Sequence, residues 1–246
     1  MPGYDQYRML QYAWFTLDDT MLVNFEQSFQ ACFGFQLDNL KRIRPPQAPT
    51  PTVVGTAVKD GVEFAMQATV MRTDIVIQGA EEPQRGRRAQ KNIDGLLIFH
   101  SIAENACRII KSNRQSMIMQ AARTVPTVED LGSVFAEVLQ TEAKLEGASE
   151  FIFQMNRRYA FDDIEINRVL KWEGEISQLA QIQFGQATFA PVSRVIEQSC
   201  YLTYLMDINT VPSSEIRGEE QQKQVLAVLK TALLEASEID RIGQLI

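Results

Sequence analysis

Two short arginine groups are the side chains of this chain best placed to do chemistry. Arg85, Arg87, Arg88 and Lys91 fall in PQRGRRAQK at 83–91, and Arg157 and Arg158 fall in FQMNRRYAF at 153–161. A guanidinium is a planar fork that meets phosphate through two hydrogen bonds, and Gly86 between arginines keeps the first group slim enough to approach a backbone. Tyr159 and Phe161 stand beside the second group, where rings can stack on bases. These residues are therefore candidates for phosphate or nucleic-acid binding. The competing reading is a solvated polar loop partly neutralised by Glu81 and Glu82.

The rest of the chain sets the scale of that question. Its net charge is -7 and its pI about 4.9, and without the four basic residues of 83–91 the charge would be -11. Binding to nucleic acid or anionic lipid would thus depend on a local patch.

His100 is the single histidine, which excludes a multi-histidine metal site. It lies between Leu96 and Ala103 on the apolar side of a helix, with Glu104 one turn on, so a buried, neutral, hydrogen-bonded ring is expected. A Cys–His nucleophile would need a cysteine beside it, and Cys107 is two turns away, about 10 Å along the same helix. Carboxylates cluster at Asp162, Asp163, Glu165, Glu173 and Glu175. Such a set could hold magnesium, but Asp162-Asp163 and Glu173-Gly174 also suit turns between strands, and turns are the expectation. Asp207, ending an apolar strand, pairs with His100 as the polar anchors of a ligand pocket between sheet and helix.

No phosphate-binding glycine loop, dinucleotide fingerprint, nucleophile elbow or paired C-x-x-C occurs. No catalytic residue is assigned, and neither a cofactor nor a metal is implied. Cys32, Cys107 and Cys200 are widely spaced among apolar residues, as expected of reduced thiols in a cytoplasmic protein. The N-terminus lacks the pattern of a secretory signal, and no apolar run approaches the ~18 residues of a membrane span, so no membrane partner is expected.

The elements that must carry these residues follow from periodicity. A strand at 8–17 is followed by a helix to Phe33, stopped by Gly34. RPPQAPTP at 44–51 is an extended connector. Alternation through 62–71, with Asp60-Gly61 before it, predicts a hairpin with 52–59, and 73–79 adds a third strand. A helix from Ile93 to Lys111 closes the first part. The second part begins with a strand at 116–125 and a helix from a Thr127/Asp130 capping box to Leu145. Strands at 149–159, 161–172, 176–189 and 197–209 follow, and a helix from Gly218 ends the pattern.

The fold class is α+β, with two β-α-(antiparallel strands)-α halves in tandem, 1–114 and 115–246, their helices packed on antiparallel sheets, the halves standing as two units or packed as one continuous domain. Shifting the first half by 109 places Leu10 on Met119, Gln11 on Gln120 and Leu22 on Leu131. In this plan of paired units the chain resembles the saddle of TATA-box-binding proteins and the repeated units of sliding clamps. The resemblance is of element order, not of motif.

Three functional expectations result. The first is a non-enzymatic binding or assembly protein meeting a protein partner or a second copy through sheet and C-terminal helix surfaces. Val225, Leu226, Val228, Leu229, Leu233 and Leu234 cover more than one face of that helix, which then docks against two elements or offers a strip to a partner. The second is a nucleic-acid binder, and the third a small-molecule binder or unusual enzyme.

Overall fold

Alternating apolar residues bounded by turn formers dominate the sequence, and they build a large antiparallel sheet backed by a few helices. The structure is a computed structural model and describes residues 4–16, 19–82, 86–140, 145, 148, 150–161, 163–184, 191–213 and 215–239. Strand β1 (Gln6–Phe15) leads to helices α1 (Thr20–Val23) and α2 (Phe25–Phe33). Strands β2 (Asn39–Ile43), β3 (Thr52–Lys59), β4 (Val62–Ala68) and β5 (Arg72–Gly79) come next. A small hairpin of β6 (Glu81–Glu82) and β7 (Gly86–Arg87) precedes helices α3 (Asp94–Leu97) and α4 (His100–Ala106). Then follow β8 (Arg114–Val125), α5 (Val128–Leu139), β9 (Ile152–Phe161), β10 (Ile164–Phe184), β11 (Pro191–Thr210) and α6 (Glu219–Ser237).

Nine of these strands form one sheet in the order β2-β3-β4-β5-β1-β8-β11-β10-β9. Every neighbouring pair is antiparallel, and the sheet is continuous across β1 and β8, where Leu10 faces Met119. The rung through that pair crosses eight strands as Ala57, Phe64, Ile77, Leu10, Met119, Met206, Leu170 and Met155. Directly paired residues share a face, so this row lies on one side of the sheet. All but Met155 are buried.

The helices cover that same side. Phe25 of α2 lies against Gly55, where an added Cβ would stand 2.6 Å from its ring. Tyr12 meets His100 of α4, Tyr204 donates to the Ala236 carbonyl of α6, and Arg123 pairs with Glu137 of α5. The apolar stripe of α6 is spent inside the chain: Val225, Leu226, Val228, Leu229, Leu233 and Ala236 are buried, and the helix packs on β8, β11 and α4. Of the two expectations for that helix, docking against several elements is the one realised.

Local signals place the turns. Gly34 ends α2 with φ 76°, Asp60 and Gly61 take φ 51° and 76° in the β3–β4 turn, and Thr127 Oγ1 accepts from Asp130 N at 3.2 Å to cap α5. Other expectations are corrected. The helix expected over 93–111 is two short ones, and α5 ends at Gln140, which turns left-handed with φ 52°, instead of reaching Leu145. The strands expected at 161–172 and 176–189 are one strand, because the β11 ladder runs unbroken past Glu173↔Thr203 and Gly174↔Leu202. Glycine weakens a strand but does not interrupt its hydrogen bonds.

That long ladder has a further consequence. β9 stops pairing with β10 at Glu173, and β8 stops pairing with β11 at Cys200, yet β10 and β11 continue together to Phe184↔Pro191. From Ser177 to Phe184 they form a two-stranded arm about 27 Å long beyond the sheet. Among the described residues no helix is long and apolar enough to cross a membrane.

Candidate functional site

The side of the sheet away from the helices is polar. Gln11, Asp74, Ser116, Asp207, Asn209 and Asn167 alternate with the core residues along their strands. They are joined by hydrogen bonds: Gln11 Nε2 to Asp74 at 2.8 Å, Ser116 Oγ to Asp207 at 2.7 Å, and Asn167 Nδ2 to Asn209 at 3.1 Å. At one end of this face lies the β6–β7 hairpin, which carries Arg87 and leads into Arg88, where Arg88 N meets Ala80 O and Tyr7 pairs with Gln90.

The hairpin is not the free loop that composition suggests. An added Cβ at Gly79 would stand 1.5 Å from the Arg88 carbonyl oxygen, and one at Gly61 would stand 2.4 Å from the Arg88 guanidinium. At Gly79 only glycine admits the neighbouring backbone, whereas at Gly61 it is the φ of 76° that favours glycine. Arg88 N donates to Ala80 O at 3.1 Å, and its guanidinium pairs with Glu82 at 2.6 Å. Arg87 pairs with Glu63 at 3.1 Å. Both side chains remain largely exposed, at 42% for Arg87 and 55% for Arg88. Arg85 lies outside the described residues.

Between the hairpin and the sheet is a cleft of about 350 Å³, lined by Arg87 and Arg88 from the hairpin and by Arg8, Gln78, Gln120 and Tyr201 from the sheet. Arg8 stands at the bulge in β1 between Tyr7 and Met9. Its Nη1 reaches both carboxylate oxygens of Glu175 at 2.7 and 2.9 Å, and its guanidinium lies 4.2 Å from the Tyr201 ring centroid. The only sequence signal for Arg8 is a charged residue starting an apolar strand. Glu175 belongs by sequence to an acidic segment, and nothing local joins it to Arg8.

Lys91 is elsewhere, in a second cleft of about 250 Å³ with Tyr4, Tyr7, Asp94 and Glu238. Burial, with Asp94 nearby, raises the Tyr7 hydroxyl to about 12. Arg157 and Arg158 are on β9, at the sheet edge, where Arg158 contacts Asn167 at 3.1 Å and Glu165 at 3.6 Å. Five strand spacings, about 24 Å, separate β9 from β5, so the two arginine groups do not converge on one site.

His100 and Asp207 are also kept apart. His100 Nδ1 is 2.8 Å from Tyr12 Oη in the layer between sheet and helices. Burial pushes the ring down to about 4, reinforced by Lys230 and opposed by Glu104, so it is neutral near pH 7. Asp207 lies between buried Met206 and Ile208 and therefore faces the open side, where it accepts from Ser116 and Asn209. A single pocket cannot use both. The carboxylate cluster is likewise dispersed: Asp163 takes a turn conformation with φ 63°, whereas Glu173 and Glu175 lie within β10, and Asp162 is outside the described residues. Among the described residues, no three His, Cys, Asp or Glu side chains are grouped to hold a metal.

The thiols are buried as well. Burial raises Cys32 to about 12, with Cys107 adding to the rise, and raises Cys107 to about 11 against a hydrogen bond from Gln115. Such thiols are poor nucleophiles. No protein-family model, curated protein or solved structure matches the chain.

Proposed function

We propose that the chain is a non-enzymatic assembly protein of a reducing, cytoplasmic compartment, in which a helix-backed sheet presents the β10–β11 arm to another copy of itself. The arm carries this reading. A two-stranded ribbon is marginal in water on its own. Beyond Glu173 and Cys200 the arm's outer backbone edges have no strand neighbour among the described residues, and open edges are templates for another strand. Its sequence includes Leu179, Ile182, Phe184, Val192 and Ile196, and Val195 is 48% exposed. The buried stripe of α6 narrows the partner surface from sheet and helix to the sheet and its arm. The free, buried cysteines support a reducing compartment.

The same reading takes the chain as two related halves, 1–114 and 115–246. Support comes from the strand order, which runs outward from β1 through β5 and β4 on one side and from β8 through β11 and β10 on the other. Leu10 and Met119, matched by the shift of 109, are also ladder partners.

Sedimentation at several concentrations tests the proposal. The full chain is expected to associate, and a variant with 178–198 replaced by Asn-Gly is expected to be a folded monomer. A full chain that stays monomeric at every concentration overturns it.

A further inference from the structure

The cleft under the β6–β7 hairpin has a composition unlike the rest of this acidic protein. Arg8, Arg87 and Arg88 line it, each paired with one carboxylate, Glu175, Glu63 and Glu82 in turn. The carboxylates that hold Arg87 and Arg88, Glu63 and Glu82, are not part of the lining. They hold the guanidiniums, and a guanidinium carries five N–H donors, more than one carboxylate can take. Arg8 is the most restrained, at 21% side-chain exposure, held by Glu175 and packed on Tyr201. Oriented cations reduce the ordering cost of binding an anion.

Around these charges the lining is neutral and hydrogen-bonding, with Gln78, Gln120 and Tyr201 prominent. The volume of about 350 Å³ is at the small end of ligand sites and fits a small polar molecule rather than a polymer strand. Three planar forks with N–H donors to spare suit the oxygens of a phosphoryl group. We infer that this cleft binds a small phosphomonoester, its phosphoryl group between Arg8 and the hairpin arginines and its polar body against the glutamine amides. The site is independent of the arm-mediated assembly proposed above.

Titration calorimetry of the full chain with glycerol 3-phosphate, beside glycerol as its uncharged counterpart, tests this. Saturable binding of the ester and none of glycerol is expected, with affinity reduced about tenfold or more in Arg87→Gln and in Arg8→Gln. Glu175→Gln, which removes the lining carboxylate, is expected to tighten binding. Circular dichroism and melting of each variant separate loss of the site from loss of the fold, and Arg87→Gln, at an exposed position, is the variant that keeps the fold. No saturable binding by the parent protein, or unchanged affinity in folded Arg87→Gln, overturns the inference. So does binding of a ten-nucleotide single strand without binding of the ester.

Discussion

Arg8 and Glu175 stand 167 residues apart in sequence and meet in a two-oxygen contact of 2.7 and 2.9 Å on the open face of the sheet. The pair ties β1 near its start to β10 at the root of the arm, across β8 and β11. Glu175 is 38% exposed, so solvent screens much of the attraction. A double-mutant cycle with Arg8→Ala and Glu175→Ala, read by urea denaturation, is expected to give a coupling of about 0.5–1 kcal/mol that shrinks with salt.

His100 gives the chain an acid-sensitive step. Its folded pKa of about 4 lies below the ordinary histidine value of 6.5, so below 6.5 the unfolded chain binds the proton first. Stability from the neutral ring is full above pH 6.5 and is lost as pH falls toward 4. The loss amounts to about 3 kcal/mol as an upper bound. His100→Gln is expected to flatten urea midpoints over that window. Because His100 is the single histidine, its imidazole NMR titration reads the pKa directly.

Gly79 is expected to be intolerant of a side chain. With the Arg88 carbonyl 1.5 Å from an added Cβ, Gly79→Ala must displace the hairpin backbone, and a loss of about 1–3 kcal/mol is expected in thermal or urea unfolding. Gly86→Ala meets nothing within 4 Å and pays only for its φ of 75°, so it is expected to cost less.

The three cysteines are buried and free. Native protein is expected to react with a thiol reagent no faster than it opens, and all three thiols to react promptly in denaturant. Rapid labelling of the folded chain would contradict the packing of Cys32 and Cys107 against raised thiol pKa values.

What could be read from sequence was local. Asp60-Gly61, Gly34 and the Thr127/Asp130 cap act within a few residues, and each fixes its turn as its chemistry requires. Period-two alternation marks β4, and Asp60-Gly61 before it places β3 as its hairpin partner. The short β2 was missed because Asn39–Ile43 is exposed and lacks an apolar alternation. Glu173-Gly174 resembled a turn because residue preference cannot report the β11 ladder that carries the chain through it. The cleft was least legible: Arg87 and Arg88 were visible as charge, but their approach to Arg8, Gln120 and Tyr201 depends on strand order. His100 was correctly placed among apolar residues, whereas its separation from Asp207 by the thickness of the sheet is a tertiary fact.

The most direct test of the account is sedimentation velocity of the full chain beside the variant in which Asn-Gly replaces 178–198. Pairing of β9 to Glu173 and of β8 to Cys200 is untouched by that change, so the body should remain folded. Concentration-dependent association of the full chain and a monomer for the variant are expected. Equal association by both, or a strict monomer for the full chain, would contradict it.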